Sequence, residues 1–199
     1  MNETTNGFQT FSSWYRKGGQ GSGPGSAPGY TSRYRAFLET FIREKEIGGI
    51  VDYGCGDWQF SKLVDWGLVA YTGLEIDQDL VNRLQADYGN ERRRFLCVDA
   101  DNPEIHEIHK YNLLITKDVM QHLTNSDILR LERLFSEKAS HILWVNDMDK
   151  DPSKNNADIL RGDYRKLDLR LPPFQFNVEI LFEFGHEPDN KVVFYQRPR

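Results

Sequence analysis

Short apolar runs alternate with helical patterns along the middle of the chain, and this alternation constrains the fold more than any other feature. Two further strand-like runs near the C-terminus are separated only by a six-residue turn segment. Parallel strands need long crossovers, whereas antiparallel strands need only a turn. The pattern therefore predicts an α/β fold whose mostly parallel sheet ends in an antiparallel hairpin. The predicted strands are 49–54, 70–76, 95–98, 112–116, 141–145, 176–184 and 191–196.

Apolar residues spaced three and four apart predict the helices. One helix precedes the first strand, and others follow the first, second and fourth strands. Their patterns cover 31–46, 58–66, 80–84 and 128–139. The segment 149–173, between the fifth and sixth strands, is instead polar and interrupted by prolines, which favours a loop there.

Length and charge set the outer limits of the interpretation. A chain of 199 residues suits one domain, which we expect over 1–199, with the α/β core at 47–199. The net charge of −5 has the wrong sign for a protein that binds phosphate backbones, so we expect no nucleic-acid partner. No apolar run is long enough for a membrane span, and no secretory signal is visible. The two cysteines suit reduced thiols in the cytoplasm, while the oligomeric state stays open.

A glycine-containing turn, VDYGCGD at Val51–Asp57, closes the first predicted strand. Glycines at such a turn let the backbone pass close to a ligand. Glu75 closes the second strand, 21 residues after Gly54, and Asp99 closes the third. Because parallel strands end at one edge of the sheet, the turn and both acids should meet there, where a nucleotide-like ligand and its ribose hydroxyls would bind. A tight turn without a ligand is the alternative.

The residues after the turn narrow the class of nucleotide. A dinucleotide fingerprint requires a third glycine where this chain has Gln59, and no Gly-Lys-Ser/Thr of a P-loop follows. The ligand therefore need not carry a pyrophosphate. S-adenosylmethionine, an adenosine with a sulfonium and an amino-acid tail, meets this description.

Four segments in this order resemble the successive motifs of class I S-adenosylmethionine-dependent methyltransferases. They are VDYGCGD at 51–57, GLEID at 73–77, CVDAD at 97–101 and LLITKDVMQHL at 113–123. The terminal hairpin is similar to the sixth and seventh strands of that family, of which the seventh is antiparallel. The resemblance implies a Rossmann-like sandwich with seven strands and helices on both faces. The chain departs from it at 149–173, where the family's usual long helix is weak or absent.

The resemblance also implies the residues that bind the cofactor. Glu75 would meet the ribose hydroxyls, and Asp99 with Ala100 would lie beside the adenine. Three residues of the turn would wrap the amino-acid part: Gly54, Cys55 and Gly56. The implied set further includes Asp52, Ile76 and Lys117.

The N-terminal segment holds six of the sixteen glycines between Gly18 and Gly29. Its SGPGS at Ser22–Ser26, followed by a helix that begins near a threonine and an arginine, resembles one subgroup of the family. This resemblance implies that residues 1–30 form a lid over the methionine end of the cofactor. The candidates for contact with its carboxylate are Ser26, Thr31 and Arg33. A flexible leader is the alternative.

The end of the fourth strand is the expected place of the methyl acceptor, beside Lys117, Asp118 and His122. A hydroxyl acceptor needs a base, and the ordinary pKa of histidine suits His122 for that role. Asp118 could orient His122 or act itself, since residues four apart share a face if the turn is helical. Alternatively, His122 only packs or caps the connection.

A metal-assisted reaction is a further alternative. Asp118 ends the fourth strand and Asn146-Asp147 ends the fifth, so three oxygen ligands could converge on Mg²⁺. The metal-assisted O-methyltransferases that this arrangement resembles have the aspartate before the asparagine, which is the reverse of the order here. The metal is therefore not favoured, and the pair could simply cap the strand.

These expectations combine into one functional hypothesis. We expect an S-adenosylmethionine-dependent methyltransferase that methylates a sugar or glycan hydroxyl by in-line transfer with a general base. A small aromatic metabolite, with or without a metal, is the alternative acceptor. A non-catalytic S-adenosylmethionine-binding regulator would show the same binding motifs.

Overall fold

The computed structural model describes residues 11, 13, 15, 21–98, 111–186 and 189–198. Within this part of the chain, seven strands form one sheet in the order β3-β2-β1-β4-β5-β7-β6. The strands are β1 (Gly49–Tyr53), β2 (Ala70–Glu75), β3 (Arg93–Cys97), β4 (Tyr111–Lys117), β5 (Ala139–Asp147), β6 (Glu179–His186) and β7 (Asp189–Gln196). The first five pair in parallel, and β7 lies antiparallel between β5 and β6. The predicted fold class is confirmed.

Helices cover both faces of this sheet. They are α1 (Ser32–Glu44), α2 (Gln78–Tyr88) and α3 (Asn125–Lys138). Apolar side chains of α1 and α2 pack in one buried cluster with one face of the sheet, and those of α3 pack in a second cluster on the other face. No helix in the described ranges is long and apolar enough to cross a membrane.

The two helices that follow β2 and β4 begin at side-chain caps. Asp77 accepts a hydrogen bond from the N–H of Leu80 at 2.8 Å, and Thr124 accepts one from the N–H of Asp127 at 3.1 Å. Such caps satisfy N–H groups that lack a partner within the helix, so each helix starts close behind the strand end. This places the carboxyl ends of both strands beside short, fixed loops.

The predicted helix over 58–66 is wrong. Trp58 has a left-handed backbone with φ +59°, and only a 3-10 turn, Ser61–Leu63, follows it. The indole of Trp58 is buried and donates to the hydroxyl of Tyr71 at 2.9 Å, while Leu63 stays 45% exposed. The apolar pattern therefore reflects individual side chains inserted into the core from an irregular segment.

The predicted loop over 149–173 is organised around one buried side chain. Its helical content is a short 3-10 turn, Pro152–Lys154. The amide group of Asn156 donates to the carbonyls of Asp168 (2.8 Å) and Pro172 (3.0 Å) and accepts from the N–H of Asp168 (2.9 Å). These bonds join Asn156 to the backbone of Asp168 and Pro172 and so hold the two sides of the loop together.

Candidate functional site

A cavity of about 450 Å³ opens at the carboxyl ends of the parallel strands. It lies where the strand order reverses between β1 and β4, which is where open α/β sheets bind their ligands. Its walls come from the turn after β1, the ends of β2, β4 and β5, the start of β7, and the segments 21–26 and 161–164.

The turn after β1 depends on glycine at two positions. Gly54 and Gly56 both have positive φ, of 76° and 60°. A Cβ atom on Gly54 would collide with Val119, and one on Gly56 would collide with Ser22. The N–H groups of Gly54 and Cys55 donate to the carbonyl of Leu74, which fixes the turn against β2. The turn forms a cradle beneath the cavity, and a side chain at Gly54 or Gly56 would have to displace Val119 or Ser22, which both line that cavity.

Glu75, at the end of β2, is buried and directed into the same cavity. Its two carboxylate oxygens accept hydrogen bonds from the N–H groups of Gly56 (2.9 Å) and Ile76 (2.8 Å). Burial raises the pKa of Glu75 to about 7, although N–H donors, with those of Ile76 and Gly56 foremost, act in the opposite direction. A carboxylate has lone pairs beyond these two bonds, so Glu75 can also accept ligand hydroxyls.

Asp52 is a second buried carboxyl group in the cavity wall. The hydroxyl of Tyr71 donates to it at 2.6 Å. Burial raises the pKa of Asp52 to about 6, and the Tyr71 bond and the Lys117 charge reduce that effect. Burial, together with the charges of Glu75 and Asp52, raises the pKa of the Cys55 thiol, so the thiol stays protonated.

The N-terminal segment lies across the glycine turn. The N–H of Ser22 donates to the Asp57 carboxylate at 3.3 Å, and the Asp57 N–H donates to the Ser22 hydroxyl at 2.9 Å. Further along, the ammonium of Lys117 donates to the carbonyl of Gly25 at 3.0 Å and to the hydroxyl of Ser26 at 3.3 Å. Residues 21–26 thus form one wall of the cavity.

Three residues are expected to contact the carboxylate of the cofactor, and only one of them lines the cavity. Ser26 does so, beside Lys117. Thr31 is buried elsewhere, because its hydroxyl donates to the carbonyl of Ala27 at 3.0 Å. The guanidinium of Arg33 lies over the ring of Phe182 on the outer face of α1. The expectations for Thr31 and Arg33 do not agree with this placement.

A row of alternating charges runs along the cavity wall from β4 to β7. Lys117 contacts one oxygen of Asp118 at 2.6 Å, and Lys191 contacts the other at 2.7 Å. Lys191 also donates to Asp147 at 2.9 Å, and Asp147 accepts from the hydroxyl of Tyr164 at 3.1 Å. This row, Lys117-Asp118-Lys191-Asp147, is called the charge row below.

Charges within the charge row shift the pKa values of Asp118, Lys117 and Lys191. Burial favours neutral Asp118, but the charges of Lys117 and Lys191 outweigh it and hold the pKa of Asp118 below its ordinary value. Burial lowers the pKa of Lys117, and Asp118 partly compensates. For Lys191, Asp118 and Asp147 outweigh burial, so its pKa is raised. Asp118 is therefore an ionised, fully paired group and a weak proton acceptor.

His122 also lines the cavity, although its relation to Asp118 differs from the expectation. The backbone of Asp118 is left-handed, with φ +60°, and a 3-10 turn, Met120–His122, follows, so the two residues do not share an α-helical face. The Nδ1 atom of His122 lies 2.8 Å from the carbonyl of Asp163. A carbonyl only accepts, so in the neutral ring Nδ1 carries the hydrogen and Nε2 is the basic nitrogen. Burial lowers the pKa of His122, which favours that neutral form.

The arrangement of Asp118, Asn146 and Asp147 does not fit a site for Mg²⁺. Asn146 and Asp147 are consecutive on β5, so their side chains point to opposite faces of the sheet. The Lys191 ammonium occupies the position between Asp118 and Asp147. Among the described residues, no group of three or more histidine, cysteine, aspartate and glutamate side chains could hold a metal ion. We therefore derive no step through a metal.

The remaining expected positions divide into two groups. Ile76 and Lys117 line the cavity together with Gly54, Cys55, Gly56 and Glu75. Asp99 and Ala100 lie outside the described residues.

Sequence reasoning missed several cavity residues that come from distant parts of the chain. They are Phe11, Arg161, Tyr164 and Lys191, whereas Tyr15, which also lines the cavity, was expected near its mouth as a stacking aromatic. The sequence indicates segment 149–173 only as an insertion of the kind that often shapes an acceptor site, without singling out its residues, and Lys191 only as the start of a strand. The sequence indicates these residues only weakly, because each reaches the site through the geometry of a loop or of the sheet, which no local motif encodes.

The sheet order, the antiparallel β7 and the cavity define a Rossmann-like fold of the class I methyltransferase type. No protein-family model and no curated protein matches the chain. Solved structures match it in fold. The N-terminal domain of EvdMO1, crystallised in the presence of SAH (S-adenosylhomocysteine) and D-fucose, is 16% identical with a TM-score of 0.60, over 85% of this chain and 82% of that one.

Two further matches have similar scores. Magnesium protoporphyrin IX methyltransferase (ChlM) from Synechocystis PCC 6803 with bound SAH is 12% identical with a TM-score of 0.60, over 84% of this chain and 83% of that chain. Mitomycin 7-O-methyltransferase MmcR is 14% identical with a TM-score of 0.60, over 84% of this chain and 54% of that chain. At these identities the likeness establishes the fold alone.

Proposed function

We propose that the protein is an S-adenosylmethionine-dependent methyltransferase that methylates a hydroxyl group of a small acceptor, with a sugar favoured. The observation that carries the proposal is the combination of the Gly54–Gly56 cradle and the buried Glu75 carboxylate in one cavity at the switch point of this fold. The solved structures crystallised with SAH support the choice of cofactor.

The cavity residues fit this cofactor at three places. Gly54 and Gly56 offer backbone without side chains to the amino-acid part, and Glu75 offers carboxylate oxygens for the ribose hydroxyls. Asp52 would face the ammonium group of the tail, and Ser26 with Lys117 would face its carboxylate. When bound, S-adenosylmethionine supplies the methyl group from its sulfonium sulfur. Asp99 and Ala100 remain our expectation for the adenine.

His122 is the proposed general base for the acceptor hydroxyl. Its Nδ1 atom is fixed on the Asp163 carbonyl, so Nε2 has the lone pair that a proton transfer needs. Asp118 has both oxygens paired with lysines, so we assign it a positioning role instead of that of a base. The ring of Tyr164 lies 5.9 Å from that of His122 and is half exposed, a suitable stacking surface for a sugar ring.

The acceptor class draws support from the fold neighbours. EvdMO1 was crystallised in the presence of D-fucose, and MmcR is named as a 7-O-methyltransferase. A small aromatic metabolite, bound beside the rings of Phe11 and Tyr164 in the cavity, is the second candidate acceptor. A regulator that binds S-adenosylmethionine without transfer would use the same cradle and is distinguished by turnover.

Calorimetry with SAH tests the cofactor assignment. Wild-type protein should bind SAH, and Glu75→Gln should weaken binding about 10-fold to 100-fold, because a hydrogen bond to a charged group contributes about 1.5–3 kcal/mol. Glu137→Gln, an exposed glutamate on α3, is the matched control and should bind normally. Undetectable binding by the wild type, or unchanged affinity in Glu75→Gln, would contradict the assignment.

Turnover distinguishes the acceptor classes. Purified protein with S-adenosylmethionine should form SAH in the presence of at least one sugar from a panel that includes D-fucose. Phenols and amines complete the panel. SAH formation with phenols alone would favour the aromatic alternative, and SAH binding without any turnover would favour the regulator.

A further inference from the structure

Lys191 is a buried lysine at the start of β7 whose ammonium group reaches the cavity. It is 3% exposed, and its Nζ atom donates to Asp118 at 2.7 Å and to Asp147 at 2.9 Å. An ammonium group has three N–H donors. Within the described part of the chain, no residue accepts the third one, which leaves a charged donor for a ligand in the cavity.

The position of this ammonium group follows from the sheet. Lys191 is the direct cross-strand partner of Asp147 in the antiparallel β5–β7 pair. Asp118 stands at the end of the neighbouring strand β4, so two carboxylates from adjacent strands face one cation. Burying a charge is costly unless it is paired, and here the pairing is made by two fixed carboxylates. The Lys191 ammonium group is therefore held in a fixed place between Asp118 and Asp147 and neutralises both carboxylates, as a divalent cation could do.

The proposed base lies on the same side of the cavity. The hydroxyl of Tyr164 donates to Asp147 at 3.1 Å, and its ring lies 5.9 Å from that of His122. Tyr164 therefore connects the carboxylate that holds Lys191 with the ring that would take the acceptor proton. An oxygen bound in this part of the cavity would have a proton acceptor and a positive donor available together.

We propose that the Lys191 ammonium group binds the acceptor oxygen and stabilises the negative charge that develops on it during methyl transfer. This assignment rests on the proposed function. In the step, the acceptor proton passes to Nε2 of His122 and the oxygen–carbon bond forms. The sulfur–carbon bond breaks, and its electron pair stays on sulfur, which becomes a neutral thioether. Lys191 keeps its own proton, as the raised pKa requires.

The same charge selects the type of acceptor. A hydroxyl or phenol oxygen gains from a fixed ammonium donor, whereas an alkyl amine is protonated at neutral pH and would be repelled. The site therefore favours oxygen over basic nitrogen.

A chromophoric phenol tests the proposal without knowledge of the natural acceptor. 4-Nitrophenol is titrated between pH 5 and 9 with excess protein, with and without saturating SAH, and the phenolate absorbance gives the pKa of the bound probe. An opposite charge within hydrogen-bond reach should lower that pKa by about one unit or more on the wild type. Lys191→Met should abolish the shift, and Lys191→Arg should keep a large part of it.

Two further variants separate the charge from general effects on folding. Asp147→Asn removes one anion beside Lys191 and should lower the pKa of the probe further, which is opposite to the effect of Lys191→Met. Lys166→Met removes a lysine that pairs with Asp149 outside the cavity and should behave as the wild type. Circular dichroism and SAH calorimetry confirm that each variant is folded.

The outcomes are distinct. If wild type and Lys191→Met ionise the probe equally, or the wild type does not bind it, the role of Lys191 is wrong. If Lys191→Met does not fold, the pKa of the bound probe is compared between the wild type, Lys191→Arg and Asp147→Asn. A pKa of the probe on Asp147→Asn equal to that on the wild type then overturns the proposal. If the wild type binds and ionises the probe but does not bind SAH, the proposed function fails, whereas the binding of an oxygen by Lys191 is supported.

Discussion

At the scale of single residues, the site contains carboxyl groups whose charge changes near neutral pH. Glu75 has a pKa of about 7 because it is buried, and a ribose hydroxyl donates best to the ionised carboxylate. Binding should therefore require loss of the proton from Glu75. The affinity of the protein for SAH is expected to rise as pH increases from 6 to 8.

Calorimetry in two buffers of different ionisation enthalpy measures this coupling. At pH 6.5, SAH binding to the wild type should release a fraction of a proton, and Glu75→Gln should remove most of that release. Proton uptake by the wild type would show that the carboxyl group binds SAH in its neutral form.

The role of His122 makes a second prediction at this scale. His122→Asn keeps a donor for the Asp163 carbonyl but has no basic nitrogen, so kcat should fall about 100-fold to 10,000-fold with little change in SAH affinity. Since burial lowers the pKa of His122, wild-type kcat should stay high at pH 6.5 and fall only at lower pH. The measurement is the pH profile of kcat with the acceptor that the turnover screen identifies. An unchanged kcat in His122→Asn would remove it as the base.

Part of the site could be predicted from single residues, and the reason is local. Gly54, Gly56 and Glu75 follow directly from where β1 and β2 end, and the sequence shows those ends as changes from apolar to polar or glycine residues. Thr31 and Arg33 do not line the cavity, and the sequence does not show this because it does not reveal which way the first turn of α1 faces. Thr31 turns back to the Ala27 carbonyl, and Arg33 faces Phe182.

At the scale of elements, the segment 21–26 and the glycine turn hold each other. Ser22 and Asp57 exchange two hydrogen bonds across the edge of the cavity. If this segment covers the bound cofactor, Ser22→Ala should speed the dissociation of SAH about 2-fold to 10-fold, because one hydrogen bond of about 0.5–1.5 kcal/mol is lost.

Stopped-flow displacement of SAH measures that rate. Ser32→Ala is the matched control, since its hydroxyl donates to the carbonyl of Gly29 at the exposed start of α1, away from the cavity. Equal dissociation rates in Ser22→Ala and wild type would show that the segment does not restrain the cofactor.

Elements also mark where sequence prediction failed for the fold. The seven strands and the helices α1, α2 and α3 of the described residues were indicated by their apolar patterns, with ends that differ by a few residues from the structure. The pattern over 58–66 was misread as a helix because spacing alone does not distinguish a helix from turns that bury the same side chains. Trp58 and Phe60 are both buried, although the backbone that carries them is irregular.

At the scale of the whole molecule, the topology of the sheet assembles the charge row. Because β7 runs antiparallel to β5, the start of β7 meets the end of β5, and Lys191 arrives opposite Asp147. A further parallel strand would have delivered its own carboxyl end there instead. This is why Lys191 escapes local sequence analysis: its place depends on insertion of the last strand between β5 and β6.

The two buried carboxyl groups also affect the stability of the whole molecule. The pKa of Glu75 rises from an ordinary 4.5 to about 7 and that of Asp52 from 3.8 to about 6. Between these values each of the two groups binds more protons in the folded state than in the unfolded state, so its contribution to the free energy of unfolding decreases as pH rises, by at most about 1.4 kcal/mol per pH unit for each group. The decrease from these two groups should begin near pH 4, continue as pH rises through the folded-state pKa of Glu75 of about 7, and end once both groups are ionised in both states.

Urea unfolding at a series of pH values between 4.5 and 8 tests this prediction on the protein without added ligand. Glu75→Gln should flatten the decrease between pH 5 and 7, and Glu75→Gln with Asp52→Asn should nearly remove it, because neither replacement titrates. Saturating SAH should raise the free energy of unfolding more at pH 8 than at pH 6, since it binds the ionised form of Glu75. An unchanged pH dependence in the double variant would mean that the two carboxyl groups are already ionised in the folded wild type across this range, and the coupling between cofactor binding and proton release would fail with it.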